Sequence, residues 1–152
     1  MTIRELSTAK SAACAEILAA LPEWFGIPEA NATYIRNVES LPAFAAEVEN
    51  TLAGFLALKQ HTPHAAEIYL LGVKPQFHRR GVGRALVACA ESHLRARGVR
   101  FFTVKTLSPS VADSNYAATR QFYGAMGFLP IEEFPTLWSA KNPALMLAKL
   151  LD

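Results

Sequence analysis

Hydrophobic and polar positions between residues 67 and 98 follow two patterns, one after the other. Residues 67–73 form a nearly continuous apolar run that Pro75 ends, because proline brings no backbone donor to a sheet, so a buried strand is predicted. From Arg84 onward the apolar residues recur every fourth position, which predicts an amphipathic helix that closes at Gly98. The apolar residues of this helix are Leu86, Ala90 and Leu94.

The other face of this helix carries Glu91 and Arg95, which we expect to be exposed to solvent and paired with each other. Helices are also predicted at 8–21, 29–38 and 115–126, and strands at 2–6, 44–48, 54–59, 101–107, 128–134 and 144–150. Because strand 67–73, its helix and strand 101–107 follow one another, these two strands should be parallel and joined by a right-handed crossover.

The length and composition of the chain are those of one globular domain over residues 1–152. Of its residues, 51% are hydrophobic and 18% are charged, which is enough apolar material for a buried core. Cys14 and Cys89 lie on predicted helices at unrelated positions and are expected to be buried and reduced. Neither a signal peptide nor an apolar run of about 18 residues occurs, so a cytoplasmic location without a membrane partner is expected.

Between the central strand and helix lies a basic turn, residues 78–83, with two glycines. The first turn of a helix leaves about four backbone N–H groups unpaired, and these carry the positive end of the helix dipole. Gly81 and Gly83 let a ligand approach this backbone closely. Three cationic side chains surround it: Arg79, Arg80 and Arg84. The turn is therefore predicted to bind phosphate or pyrophosphate, which explains the net charge of +2 without a nucleic-acid partner.

Two common phosphate-binding motifs do not fit this turn. A Walker loop ends in Gly-Lys-Ser/Thr, and no Gly-Lys pair occurs in the chain. A dinucleotide fingerprint requires a third glycine, where this chain has Leu86, and an acidic residue about twenty positions later, where residues 101–107 contain none. Both of these nucleotide-binding classes are therefore excluded.

The turn instead resembles motif A of the GNAT superfamily of acetyl-CoA-dependent N-acetyltransferases, whose pattern is Gln/Arg-x-x-Gly-x-Gly/Ala. Here it reads His78-Arg79-Arg80-Gly81-Val82-Gly83, with histidine in place of the usual glutamine or arginine. Because backbone amides make most contacts of such a turn, this replacement should alter one contact and keep the binding mode. A second stretch, Asn115 to Phe128, resembles motif B of the superfamily, a helix that ends in Tyr-x-x-x-Gly-Phe, here Tyr123 to Phe128.

The resemblance implies an α/β (α+β) GNAT fold, with a mixed, mainly antiparallel sheet of six to seven strands flanked by about four helices. It also implies acetyl-CoA as cosubstrate. The cofactor-binding residues that it implies are Leu71, Gly72, Val73, His78, Arg79, Arg80, Gly81, Val82, Gly83, Arg84 and Asn115. Asn115 can equally be a helix cap. Gly72 either keeps the wall beside the thioester low or marks a simple bulge in the strand.

Acetyl transfer to an amine needs a neutral amine, stabilisation of charge on the carbonyl oxygen and a proton for the departing thiolate. Tyr123 is the predicted proton donor, because a phenol with a reference pKa of about 10 is protonated at neutral pH. The resemblance gives the tyrosine of this helix the same role. Glu67 is the predicted base, since it begins the buried strand, and histone-modifying members of the superfamily have a catalytic glutamate at a similar offset. The alternatives are that Tyr123 is only a core residue, and that Glu67 is a surface carboxylate while a water chain or another residue acts as the base.

The sequence does not identify the acceptor amine. The aromatic segment 22–42, the strand ends and the loop 137–142 are expected to form a pocket for the primary amine of a small molecule or a peptide. The rival functions are a non-catalytic acyl-CoA sensor and a toxin-type enzyme that acetylates charged transfer RNA. The second needs a broad basic face, whereas this chain has a cluster of three arginines at the end of one helix.

The sequence indicates neither a metal site nor an oligomeric state. His61 and His64 are expected in a solvated loop, and no metal is assigned, because Pro63 lies between them and no third ligand is nearby. A homodimer is common among proteins that share the implied fold, but no sequence feature specifies one here.

Overall fold

The computed structural model describes residues 1–152, which contain seven strands and four helices. The strands are β1 (Thr2–Leu6), β2 (Ala43–Val48), β3 (Thr51–Thr62), β4 (Ala65–Val73), β5 (Phe101–Leu107), β6 (Leu129–Ser139) and β7 (Asn142–Leu150). The helices are α1 (Lys10–Ala19), α2 (Pro28–Asn37), α3 (Val82–Arg95) and α4 (Ser114–Ala125). Short 3-10 turns lie at Val38–Ser40 and Pro75–Phe77.

All seven strands belong to one sheet, in the order β1-β2-β3-β4-β5-β7-β6. Only the β4–β5 pair is parallel, and the other pairs are antiparallel. The predicted mixed, mainly antiparallel sheet with about four helices is therefore confirmed. The predicted parallel pairing of these two strands is also confirmed, because α3 connects the parallel neighbours β4 and β5.

The helices cover the sheet on both faces and form two separate cores. On one face, α3 and α4 pack against apolar residues of the central strands, and the predicted α3 residues Leu86, Ala90 and Leu94 are all buried there. On the other face, α1 packs with the 3-10 turn after α2 against β2, β3 and β4. Burial of these two apolar layers, at about 25 cal/mol per Å², is the main stabilising contribution.

Glu91 departs from the predicted solvent-facing position on α3. Its side chain is only 7% exposed, although it does pair with Arg95 as predicted, at 3.2 Å. Lys149 of β7 reaches the same carboxylate at 2.8 Å and also donates to the carbonyl of Met126. This side of α3 lies near Lys149 of β7, so the Glu91 carboxylate is buried together with its partners. The helical period alone does not predict this burial.

The hairpin between β2 and β3 is tighter than predicted. Glu49 and Asn50 both have left-handed backbone angles, with φ of 52° and 62°, which is the signature of a two-residue hairpin turn. Strand β3 therefore begins earlier than predicted and continues to Thr62. His61 consequently lies in a strand instead of a loop, and Trp138, also expected in a loop, lies near the end of β6.

Strands β4 and β5 separate halfway along their length. They pair from Ala65 to Ile68 on β4 and from Phe101 to Val104 on β5, and no further. On the other side of β4, Leu70 and Ile68 oppose consecutive residues of β3, so Tyr69 is an extra residue in a β-bulge. A bulge bends its strand and ends regular pairing. The result is a gap in the middle of the sheet, between the far halves of β4 and β5.

The two cysteines lie on α1 and α3 and are free, with Cys14 fully buried and Cys89 half-buried. Burial raises the pKa of the Cys14 thiol to about 12, so it stays neutral in the core. None of the four helices combines the length and the apolar character needed to cross a membrane.

Candidate active site

A cleft of about 1020 Å³ passes through the gap between β4 and β5. Its walls come from the far halves of both strands, the first turn of α3, one side of α4 and the segment after α1. The two segments predicted to form the acceptor pocket both contribute to the cleft, segment 22–42 with Trp24, Phe25 and Tyr34 and segment 137–142 with Leu137 and Trp138. All but one of the predicted site residues line this cleft.

The first turn of α3 presents unpaired backbone amides to the cleft. Gly81 precedes the helix with φ of 80°, a left-handed conformation that favours glycine, and no side chain caps the helix. Arg79 is also left-handed, with φ of 61°, which is unusual for a residue with a side chain. Such turns form concave arrays of N–H groups that bind anions. Val82 and Gly83 begin the helix at this wall of the cleft.

The basic side chains of the turn divide into two groups. Arg79 and Arg84 line the cleft beside the free amides. The guanidinium group of Arg80 instead stacks over the ring of Phe77, 5.4 Å from its centroid, and does not line the cleft. A side-chain contact from Arg80 to a bound phosphate remains a prediction, and it would require the guanidinium group to leave the Phe77 ring.

His78, which replaces the usual glutamine or arginine, binds within the chain. Its Nε2 lies 2.6 Å from the carbonyl oxygen of Val73, and because a carbonyl only accepts, Nε2 must carry the proton. The ring of Trp24 packs edge-on against the imidazole, with centroids 5.7 Å apart. His78 therefore ties the basic turn, residues 78–83, to the end of β4 and forms part of the cleft wall.

The three β4 residues that the resemblance implies for cofactor binding lie where β5 no longer pairs with this strand. Leu71, Gly72 and Val73 continue to pair with β3, but β5 has already separated from this part of the strand. Their peptide groups on the β5 side have no strand partner and face the cleft. A pantetheine arm is itself an amide chain, so it can bind along such an edge in the manner of an added strand.

Gly72 has a packing role that neither sequence interpretation anticipated. A Cβ atom at this position would lie 2.6 Å from Ile17 Cγ2 and 2.9 Å from Leu21 Cδ1. The missing side chain thus faces the core under α1, not the thioester, and the bulge of β4 is at Tyr69. Gly72 allows the segment around α1 to approach the sheet closely.

We expect Gly72→Ala to act on stability more than on chemistry. Overpacking a well-filled core costs about 1–3 kcal/mol, and we expect the free energy of unfolding to fall by that amount. Chemical denaturation measures this loss, and Gly124→Ala, where a Cβ meets nothing within 4 Å, is the matched control. A variant of normal stability with a selective loss of turnover would instead support the thioester role.

Tyr123 is both a core residue and a cleft residue. Its ring is almost fully buried and packs against Phe122 and Phe128, with centroids 5.3 and 5.6 Å apart. Its hydroxyl has no hydrogen-bond partner in the chain, and the residue lines the cleft. Burial, with a smaller contribution from Tyr116, raises the pKa of this phenol, so it keeps its proton. A fixed, protonated hydroxyl at this wall suits a proton donor.

Asn115 is not the cap of α4. Asp113 occupies that position, and its Oδ1 accepts hydrogen bonds from the backbone N–H groups of Asn115 at 2.9 Å and of Tyr116 at 3.1 Å. The side chain of Asn115 lines the cleft without a hydrogen bond in the chain. The alternative of a helix cap is thereby removed, and a contact between Asn115 and coenzyme A remains a prediction.

Glu67 lies on the opposite side of the sheet from α3, at the start of the gap. Its carboxylate is bound at both oxygens, with His61 Nε2 2.7 Å from Oε1 and Lys105 Nζ 2.8 Å from Oε2. The residue is 8% exposed, so it is not the surface carboxylate of the alternative interpretation. His61 and Lys105 were not anticipated from the sequence, because only the register of β3, β4 and β5 brings them together.

Two further features of the cleft were not predicted from the sequence. Trp24 is joined to α4 through its indole N–H, which donates to Thr119 Oγ1 at 3.2 Å, and through its carbonyl, which accepts from the Tyr116 hydroxyl at 2.5 Å. Thr106 on β5 has the one buried side-chain oxygen or nitrogen in the chain without a hydrogen-bond partner, and it also lines the cleft. The position of Trp24 in a proline-rich segment could have indicated the first feature, the docking of this segment on α4. Nothing in the sequence indicates the second, the unpaired hydroxyl of Thr106.

Comparison with known families assigns most of the chain. A model of the "Acetyltransferase (GNAT) family" matches residues 12–128, which include the α3 turn, β4, β5 and α4. The matched region thus contains every predicted site residue, from Glu67 to Tyr123.

Curated relatives share a shorter region. The mycothiol acetyltransferase of Thermobispora bispora is 35% identical over 91 residues, which is 56% of this chain and 29% of the relative. That of Corynebacterium glutamicum strain R is 41% identical over 49 residues, 32% of this chain and 17% of the relative. The chain therefore spans less than a third of the length of these relatives.

Solved structures match nearly the whole chain. A GNAT-family protein from Desulfovibrio desulfuricans superimposes with a TM-score of 0.86 at 18% identity, covering 99% of both chains. An aminoglycoside 6'-N-acetyltransferase in complex with coenzyme A superimposes with a TM-score of 0.77 at 19% identity, covering 100% of this chain and 98% of that one. At these identities the likeness establishes the fold.

Proposed function

The chain belongs to the GNAT family of acetyltransferases, and we propose that it transfers the acetyl group of acetyl-CoA to a primary amine of a small molecule or peptide. The transfer is a direct attack in a ternary complex. The observation that carries this proposal is the gap between β4 and β5, which opens on one face towards the α3 turn and Tyr123 and on the other towards Glu67. Donor and acceptor can therefore meet from opposite faces of one sheet.

The residues of the first face fit acetyl-CoA. The uncapped amides of α3 with Arg79 and Arg84 suit a pyrophosphate, and the free edge of β4 suits the pantetheine amides. Family members use acetyl-CoA, which supplies the activated acetyl group as a thioester. Both cysteines lie outside the cleft, which favours direct attack over an acetylated enzyme.

Each chemical task has a candidate group in the cleft. The amine nitrogen attacks the carbonyl carbon, and Glu67 accepts the proton that the amine must lose, directly or through water. Backbone N–H groups of β4 near Leu71 to Val73 stabilise the negative charge on the carbonyl oxygen. As the C–S bond breaks, the Tyr123 hydroxyl donates its proton to the thiolate and regains one from solvent.

Glu67→Gln is expected to lower kcat/KM at pH 7 by about ten-fold or more, because a general base contributes on this scale or above. The loss should shrink as the pH rises towards the pKa of the free amine, since solvent then supplies the neutral amine. A pH profile of thiol release measures both effects. The control is Glu47→Gln, which removes a half-buried strand carboxylate paired with Arg4 at 2.8 Å outside the cleft.

A loss that is the same at every pH would contradict the base role of Glu67. It would indicate that the carboxylate only positions Lys105 and His61. In that case Lys105→Met should reproduce the defect, with the same lack of pH dependence.

Calorimetric titration with acetyl-CoA, and with adenosine diphosphate as control, tests the proposed function itself. Micromolar binding that requires the pantetheine arm, followed by thiol release with an amine panel, is the expected result. Binding without thiol release for any amine would favour a non-catalytic acyl-CoA sensor. No binding of acetyl-CoA would overturn the proposal.

A further inference from the structure

The half of the cleft on the α1–α2 face carries a distinctive set of charges. We call it the acceptor half, and define it by Tyr34, Lys59, His61, Glu67, Tyr69 and Lys105. Lys59 lies opposite Glu67 across β3 and β4, and Glu67 lies opposite Thr103 across β4 and β5. Directly opposed residues share a face of the sheet, and so does Lys105, two positions after Thr103.

Positive charge exceeds negative charge in the acceptor half. Glu67 is the one acidic residue of the whole cleft, and both of its oxygens are bound to His61 and Lys105. Lys59 has no carboxylate partner, and its Nζ lies 6.0 Å from the centroid of the Tyr69 ring. Two lysines therefore face one glutamate, and no carboxylate remains for a second ammonium group of an acceptor.

The body of the acceptor half is aromatic. Tyr34 and Tyr69 pack edge to face with centroids 5.3 Å apart, and Phe25 packs on Tyr34 at 6.2 Å. The side-chain amide of Asn37 donates to the Tyr69 hydroxyl at 2.9 Å and fixes that ring. Rigid aromatic walls bind flat, apolar groups and tolerate extended hydrophilic ones poorly.

We propose that the acceptor is a primary amine that carries an aromatic side chain and a carboxylate beside its amino group, as in an aromatic α-amino acid, and that Lys59 binds the carboxylate. This inference rests on the proposed acetyl transfer. The aromatic body lies against Tyr34 and Tyr69, the amine points through the gap, and the carboxylate meets the unpaired ammonium group. A polycationic acceptor such as an aminoglycoside is disfavoured, because the positive acceptor half repels it.

Thiol release with two matched acceptors, phenylalanine and phenylalanine amide, tests the proposal. Rates are expressed per concentration of unprotonated amine, because the two amines differ in pKa. We expect kcat/KM to favour phenylalanine by about ten-fold, the usual scale of a hydrogen bond between charged groups. Lys59→Gln should abolish this preference, and Lys59→Glu should reverse it. The exposed Lys141, in the turn between β6 and β7 outside the cleft, gives the control Lys141→Gln, which should leave it unchanged.

Each other outcome is decisive in a different way. Three results would overturn the inference and leave acetyl transfer intact. The first is equal or better use of phenylalanine amide, and the second is a preference for phenylalanine that persists in Lys59→Gln. The third is acetylation of kanamycin but of neither matched amine. Acetyl-CoA binding with acetylation of none of the three amines would also overturn it. Absence of acetyl-CoA binding would overturn the proposed function itself, and calorimetry distinguishes that failure from the others.

Discussion

Replacing Tyr123 by phenylalanine is expected to lower kcat by about 100-fold, the low end of what a general acid contributes. The phenyl ring fits the same contacts with Phe122 and Phe128, so only the hydroxyl that faces the cleft is lost. Acetyl-CoA affinity should stay within about two-fold of the native value, since a proton delivered in the transition state adds nothing to ground-state binding. Steady-state kinetics and calorimetry measure the two quantities separately.

The pH dependence offers a second check on Tyr123. Burial raises the pKa of its hydroxyl above that of a free tyrosine, so the donor form is the stable one throughout the neutral and mildly alkaline range. Loss of the proton requires a higher pH than for an exposed phenol. We therefore expect no fall in kcat from this group between about pH 7 and pH 10. A fall in that range that disappears in Tyr123→Phe would contradict this assignment of its protonation state.

Tyr116→Phe serves as a comparison on the same helix. The Tyr116 hydroxyl donates to the Trp24 carbonyl, so its loss should loosen the segment that contributes Trp24 and Phe25 to the cleft wall. We expect a higher KM for the acceptor with kcat almost unchanged. If instead Tyr116→Phe lowers kcat and Tyr123→Phe does not, the proton donor has been assigned to the wrong tyrosine.

The sequence predicted the parts of the site that depend on local signals. Pro75, the glycines at 81 and 83 and the repeat of Leu86, Ala90 and Leu94 act within a few residues, and they specify β4, the turn and α3 without tertiary contacts. Tyr123 was identified from the Tyr-x-x-x-Gly-Phe ending of α4, which is also a local signal. These elements can be predicted without knowing which strands pair.

The parts that depend on strand register could not be predicted. Glu67 meets His61 and Lys105 only because β3, β4 and β5 align as they do, and the bulge at Tyr69 has no glycine or proline to mark it. Gly72 is required by α1, which is more than fifty residues earlier in the chain. The charge excess that points to a carboxylate-bearing acceptor arises in the same way, from residues on three strands.

Gly83→Val is expected to weaken acetyl-CoA binding by about 30-fold or more, which corresponds to roughly 2 kcal/mol. A Cβ atom at this position would lie 3.1 Å from two carbons of the Phe122 ring and 3.8 Å from Val73 Cγ2. A branched side chain must therefore displace the ring and fill the space between α4 and the free amides of α3. The proposed binding mode places the pyrophosphate and the start of the pantetheine arm in that space.

Two variants separate this loss of binding from a loss of folding. Gly124→Ala, on α4, adds a Cβ that meets nothing within 4 Å, and it should leave acetyl-CoA affinity unchanged and stability equal or slightly higher. Gly83→Ala adds the smallest side chain and should give an intermediate affinity with a nearly native melting temperature. Normal affinity in Gly83→Val, in a protein that melts as the native chain does, would show that the α3 turn does not hold the cosubstrate. The amides that bind it would then have to be sought on another element of the cleft.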